Sequence, residues 1–297
     1  MSQEIIKVVN FTKRYGDYTA VDGISFDVKK GEIFGLLGPN GAGKTSTLEC
    51  LEGLRSPDGG KIEVMGINPA KDSGKLKDII GVQLQSTALQ ETITVKEAMR
   101  LFSSYHGIKP RYDLLKRVRL WDKSNARFQE LSGGEQKRLV LALAVAHNPE
   151  VLILDEPTAA LDVQSRVELH ELMAELKAEG TTILLATHDM AEAEKMADRM
   201  AILLKGKLVT IGTPKEITAS GSTETKISVR TTGSSLVGTE GTLSEEYYVF
   251  YSDNPGKKVT EIINLIDSQG DTLIDLRVER PSLEERFLEI TSVGGTI

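Results

Sequence analysis

Residues 38–45 read Gly-Pro-Asn-Gly-Ala-Gly-Lys-Thr, and few short segments restrict a fold more tightly. Three glycines in so short a run let the backbone turn sharply enough for several amide N–H groups to face one anion. A helix beginning at Lys44 adds a favourable dipole. The G-x-x-x-x-G-K-[ST] pattern carries this meaning when an apolar strand runs into it and a helix runs out of it. Glu32–Leu37 reads as that strand. Lys44 to about Leu54 reads as that helix, ended by Gly53 and the Ser-Pro-Asp-Gly-Gly run at 56–60. An accidental glycine-rich turn would lack this setting. The loop, Gly38, Pro39, Asn40, Gly41, Ala42, Gly43, Lys44, Thr45 and Ser46, is therefore expected to hold a nucleoside triphosphate, ATP. Lys44 should reach the β- and γ-phosphates, and the Thr45 hydroxyl should ligate Mg²⁺.

Two further segments fit this chemistry. Val151-Leu-Ile-Leu-Asp155-Glu156 is an apolar strand ending in two carboxylates. Such a strand sets its terminal acids at the carboxyl edge of a sheet, where ligands bind in open α/β folds. Asp155 is expected to hold the metal and Glu156 to polarise the attacking water as general base. A surface acid ending a strand is the alternative, and the nearby phosphate loop counts against it. Leu131-Ser-Gly-Gly-Glu-Gln136 leads into a helix. Structurally it is a capping box of Ser132 and Glu135, and functionally it offers a hydroxyl, two glycines and a helix N-terminus to an anion. The two readings are compatible.

Compact apolar runs at Val151–Leu154, Thr182–Ala186 and Met200–Leu204 alternate with helical stretches at 163–179 and 190–198. This alternation argues for an α/β fold with a mostly parallel sheet covered on both faces. Before the loop, Ile5–Val9 and Ile24–Val28 flank a turn-rich segment at 13–17, and a second strand pair is expected over Gly60–Met65. Together they suggest an N-terminal β subdomain. Ile79–Gln83 is another short strand. Residues 86–130 lean helical, with a capping box at Thr94–Glu97, and a strong helix runs from Ser132 to His147. After Pro214 and a polar linker at Ser220–Thr225, alternating strands and one amphipathic helix suggest a small α+β appendage over 222–297, without a chemical motif.

A formal net charge of -7 speaks against a nucleic-acid partner. The start, Met-Ser-Gln-Glu-Ile-Ile-Lys, lacks the charged flank and apolar stretch of a secretory signal, and the longest apolar run is Leu139–Ala146. The expected setting is therefore cytoplasmic, with any membrane role arising through a partner. Cys50 stands alone, which suits a reducing compartment and reads as a packing thiol.

The phosphate loop, Leu131-Ser-Gly-Gly-Glu-Gln136 and Leu154-Asp-Glu-Pro-Thr158 together resemble the ATP-binding subunits of ABC transporters over about residues 4–218. The resemblance implies a phosphate-loop NTPase with an antiparallel β subdomain and a helical subdomain at about 86–148. It implies two ATPase subunits, alike or different, packed head to tail, with Leu131, Ser132, Gly133, Gly134 and Glu135 of one facing the ATP of the other. It further implies separate membrane-spanning permease subunits, and hence a peripheral place on the cytoplasmic face of the membrane. Gln85 matches the glutamine that senses metal and water, with Gln83 nearby. Asp162 matches the inter-subunit loop, and His188 matches the histidine that contacts the γ-phosphate. Tyr15 matches the aromatic that stacks on adenine, with Phe11 and Tyr18 as alternatives. Glu135 departs from the family's more common glutamine, and Ala159-Ala160 from its small polar or glycine residues. His106, His147 and His170 match no motif and read as packing or surface residues, and Lys116–Arg119 as a solvated helix face. The C-terminal part resembles the appendage of exporter ATPases. A soluble ABC-type ATPase acting on ribosomes or DNA is the competing reading, though a single phosphate loop fits it poorly. A phosphate-loop kinase or GTPase leaves Leu131–Gln136 unexplained.

Overall fold

The computed structural model describes residues 3–85, 89–219, 225–279 and 282–293. The chain divides into two compact units between Pro214 and Lys215. The first begins with two long antiparallel strands, β1 (Glu4–Tyr15) and β2 (Tyr18–Lys29), joined at Gly16-Asp17. They outrun the expected Ile5–Val9 and Ile24–Val28, because register shifts along the ladder let the turn-like residues Lys13–Tyr15 keep pairing. β3 (Ile33–Leu37) is buried along its whole length, as a strand covered on both faces must be. It runs through the phosphate loop into α1 (Lys44–Leu51). This helix stops short of Leu54 because Gly53 takes φ +73, the left-handed geometry that closes helices. β4 (Gly59–Val64) is one strand rather than a pair, and it completes the order β2-β1-β4.

A short α2 (Ser73–Leu76) precedes β5 (Ile80–Gln83). Next come α3 (Val95–Tyr105), opened by the Thr94–Glu97 capping box, and α4 (Tyr112–Arg117). α5 (Gly133–Ala144) ends before the expected His147, since Val145 has already left helical geometry and Asn148 takes φ +53. Then follow β6 (Val151–Asp155), α6 (Val163–Ala178), β7 (Thr182–Thr187), α7 (Met190–Met196), β8 (Arg199–Leu204) and β9 (Lys207–Gly212). The six-stranded order is β5-β6-β7-β3-β8-β9, parallel except for the last pair. β9 carries no buried run, only alternating exposed and half-buried residues, so it was invisible as an apolar segment.

One face of this sheet packs against α1 and the small antiparallel sheet around Phe11, Phe34, Leu48 and Ile153. The other packs against the helices around Leu139, Leu143, Leu154 and Leu169. Arg199 ties β8 to the first face, its Nη1 lying 3.1 Å from both Asp27 and Glu32. Where α5 meets α6, a side chain on Gly134 would collide with Ser165 Oγ, so only glycine allows the approach. The Lys116–Arg119 stretch is less solvated than expected. Arg117 pairs with Glu175 and Glu179 at 3.0 Å each, and Val118 is buried.

Beyond α8 (Pro214–Ala219), the second unit contains β10 (Thr225–Thr231), β11 (Thr242–Ser244), β12 (Tyr247–Ser252), α9 (Pro255–Ser268), β13 (Leu273–Glu279) and α10 (Leu283–Val293). Its antiparallel sheet has the order β11-β12-β10-β13. α9 sets Ile262 and Ile266 against Ile227, Val229 and Phe250. The expected linker lies outside the described residues as far as 224, as does Pro281, while the Ser282–Glu285 capping box is formed.

Candidate active site

The parallel strands deliver their chemistry to one edge. The phosphate loop follows β3, Asp155 ends β6, His188 follows β7 and Gln85 lies just past β5. Gly43 shows why the loop needs glycine. Its φ is +103, and a Cβ there would sit 2.6 Å from the Ala20 carbonyl oxygen. Lys44 is buried, and its Nζ donates to the carbonyls of Gly38 at 2.7 Å and Pro39 at 3.4 Å. The same ammonium lies 3.3 Å from Glu156 Oε1.

Glu156 stands one residue past β6 with φ +48, and its N–H still donates to the Ala186 carbonyl at 2.9 Å. Its Oε2 is 2.8 Å from His188 Nδ1. Lys44, Glu156 and His188 therefore form a continuous chain of contacts. Thr45 Oγ1 donates to Asp155 Oδ2 at 3.0 Å, while the buried Oδ1 has no partner. Burial raises the Asp155 acid above its usual value, against the lowering influence of the Thr45 hydroxyl, Lys44 and Lys137. Lys137 Nζ donates to the Gln85 carbonyl at 3.1 Å, and burial lowers that ammonium against the pull of Asp155 and Glu156.

A cleft of about 340 Å³ opens over these groups, lined by the loop from Pro39 to Ser46 together with Tyr15, Tyr18, Gln85 and Glu156. Tyr15 is 37% exposed and Tyr18 59%, whereas Phe11 is fully buried and cannot stack on a ligand base. The Tyr15 hydroxyl lies 3.3 Å from Ser46 Oγ and from Glu49 Oε2, which fixes the ring beside the loop. Gln83 is buried, its side-chain amide unpartnered, and lies outside the cleft lining; Gln85 is exposed and lines it.

The structure keeps the remaining expected residues apart from this cleft. None of Leu131, Ser132, Gly133, Gly134, Glu135 and Asp162 lines it. Ser132 caps α5, accepting from Glu135 N at 3.3 Å, while Glu135 Oε2 accepts from Ser132 N at 2.9 Å. Burial works to raise the Glu135 acid, but Lys123 at 2.6 Å and the Ser132 amide hold it below its usual value. The glutamate that departs from the family pattern thus completes the cap. Asp162 caps α6 through Ser165 N at 2.9 Å and accepts from Ser165 Oγ at 2.7 Å.

His106 and His147 stack at 3.8 Å and are packing residues, as expected. His170 is more than that, because it joins a buried cluster with Thr158 and Glu192. That cluster and Lys137 escaped the sequence reading. The available signal was spacing: Thr158 follows closely on Glu156, and Glu192 lies one helical turn beyond His188.

The ABC transporter family model matches residues 21–159. Nod factor export ATP-binding protein I of Burkholderia orbicola is 42% identical over 74% of this chain and 74% of its own length. Linearmycin resistance ATP-binding protein LnrL of Bacillus subtilis is 33% identical over 97% of this chain and 98% of its own. A solved ATP-binding subunit of an ABC transporter superposes with a TM-score of 0.67 at 29% identity, covering 73% of this chain and 92% of that one. CbiO1 from Clostridium perfringens, part of the ABC transporter complex cbiONQ, gives 0.65 at 30% identity, covering 73% and 91%.

Proposed function

The chain belongs to the ABC transporter family as one of its ATP-binding subunits, and on that premise we propose that it powers an exporter whose membrane-spanning subunits are separate chains. It binds nucleotide and hydrolyses ATP. Export is supported by relatives named for Nod factor export and linearmycin resistance, the second aligned through the C-terminal unit as well. Separate spanning subunits accord with the described helices, none of which is long and apolar enough to cross a membrane. That peripheral role places the chain on the cytoplasmic face. The competing role on ribosomes or DNA has no comparable support in those relatives or in the acidic charge.

The observation that carries the site reading is the buried chain of Lys44, Glu156 and His188 beneath the phosphate loop. Lys44 and the loop amides bind the phosphates, Glu156 takes the proton of the attacking water, and His188 orients Glu156 and reaches toward the terminal phosphate. Gln85 lines the approach to these groups, and Tyr15 supplies a ring beside the loop for the adenine. Mg²⁺ fits the residues present. Thr45 and Asp155 offer two oxygens in contact, and Asp155 Oδ1 is buried with no partner. No group of three or more His, Cys, Asp and Glu among the described residues would hold a metal unaided, which suits an ion bound jointly with nucleotide phosphates. When bound, that ion neutralises phosphate charge.

Two copies closing head to tail complete the reading. Exposed Ser132 and Gly133 present a capped helix start outside their own chain's cleft, which leaves them available to a neighbour's nucleotide. Glu156→Gln is the test. It should keep ATP affinity, lose turnover by about 10²-fold or more, and accumulate a dimer with ATP. Hydrolysis at the wild-type rate would remove Glu156 from the role of base.

A further inference from the structure

We propose that Glu192 is a positioning residue that locks the loops bearing Glu156, Asp162 and His188 into one unit, with Thr158 and His170 as its partners. The inference rests on the site reading given above for Glu156 and His188. Glu192 is 3% exposed, Thr158 3% and His170 5%, so all three have left water. Thr158 Oγ1 donates to Glu192 Oε1 at 2.6 Å, and His170 Nε2 lies 3.1 Å from the same oxygen. Glu192 Oε2 is buried without a partner. A buried carboxylate is costly unless it is well bonded, so its place here calls for a role.

The three partners come from three different segments, and each segment carries one of the expected functional loops. Thr158 lies in the turn after β6, in which Glu156 and Ala160 both take positive φ, +48 and +61. That turn has weak internal support, with Ala159 N to Glu156 O at 3.3 Å and Leu161 N to Thr158 O at 3.2 Å. The Thr158 side chain is its strong anchor. His170 sits in α6, whose N-cap is Asp162. Glu192 sits in the first turn of α7, directly after His188 and its neighbour Asp189. Asp189 accepts from Glu192 N at 3.0 Å and pairs with Arg166 of α6 at 3.2 Å, a second tie between the same two helices. A shift of any one loop therefore strains the others through a single carboxylate. Strained backbone at a functional site persists only when its surroundings hold it.

The unit acts on Glu156 and not on the phosphate loop, which separates it from a general role in stability. Thr158→Val keeps the shape and deletes the donor, so in the full chain it should lower kcat by about tenfold, the factor that 1.4 kcal/mol represents. ATP affinity, measured by equilibrium binding, should stay within about twofold, the loop contacts being untouched. Glu192→Leu should act in the same direction more strongly, while Glu192→Gln, which retains an acceptor for Thr158, should restore most of the rate. In a Glu156→Gln background, Thr158→Val should change the residual rate no further, since the effect passes through Glu156. If Thr158→Val turns over at the wild-type rate while Glu156→Gln is inactive, the positioning role fails and the site reading stands. If Thr158→Val weakens ATP binding as much as it slows turnover, the cluster is merely structural and the proposal is overturned. If Glu156→Gln hydrolyses normally, both readings fall together.

Discussion

Glu52 allows a sharp test of the electrostatics beneath the phosphate-loop helix. It directly follows α1, is buried, and has neither carboxylate oxygen hydrogen-bonded. Burial above all, with the negative charges of Asp155 and Glu49 added, pushes its acid from the usual 4.5 up to about 7. Between those values the folded chain holds a proton that the unfolded chain has released. Stability therefore falls as pH rises through that window. At about 1.4 kcal/mol for each tenfold change in acidity, the gap from 4.5 to about 7 amounts to about 3 kcal/mol. Glu52→Gln abolishes the titration while keeping the volume, and the constant cost of a buried amide cancels when two pH values are compared. The chain's single tryptophan, Trp121, lies in the same compact unit as Glu52, so its fluorescence reports the relevant unfolding. Urea titrations at about pH 5 and about pH 8 should show the wild type losing about 3 kcal/mol more than the variant across that interval. Parallel losses in the two proteins would refute the reasoning, because the carboxylate would then ionise as freely in the folded chain as in the unfolded one.

Gly134→Val forces a side chain against Ser165 and should push α5 from α6, at a cost of about 1–3 kcal/mol in urea stability. In that variant ATP affinity at the phosphate loop should survive while turnover falls by about tenfold or more, and unchanged turnover would count against the close α5–α6 approach being required. Arg199→Met leaves Asp27 and Glu32 without their shared cation and should lower urea stability by about 1–3 kcal/mol; a midpoint equal to that of the wild type would show the tie between the sheets to be inert. Asp155→Asn should raise the Mg²⁺ concentration needed for half-maximal hydrolysis by about tenfold or more, and an overlapping Mg²⁺ curve would exclude Asp155 from the metal site.

The central sheet was legible because its strands are short, wholly apolar and separated by helices. β3, β6 and β7 are buried at every position, and their ends coincide with the segments that carry the motifs. β9 and β11 were not legible. One is an edge strand without a buried residue, and the other is three exposed residues that gain their form only from β12. The phosphate loop, Asp155 and Glu156 could be located from sequence because local pattern fixes them. The hydroxyl of Thr158 meeting Glu192, or Arg199 meeting Asp27, depends on how distant elements cross, and no local pattern encodes that crossing. His170 went unremarked for the same reason: a histidine on a helix looks ordinary until the carboxylate opposite it is in place.

The Glu156 amide still bonds to Ala186 after β6 has ended, so the acid and His188 hang from two neighbouring rails of one ladder. Their separation is set by the spacing between adjacent strands, about 4.8 Å, and not by the wandering of two loops. Thermal motion displaces both groups in step. Their alignment thus has the stiffness of the sheet itself, and it survives excursions that would scatter side chains mounted on independent supports.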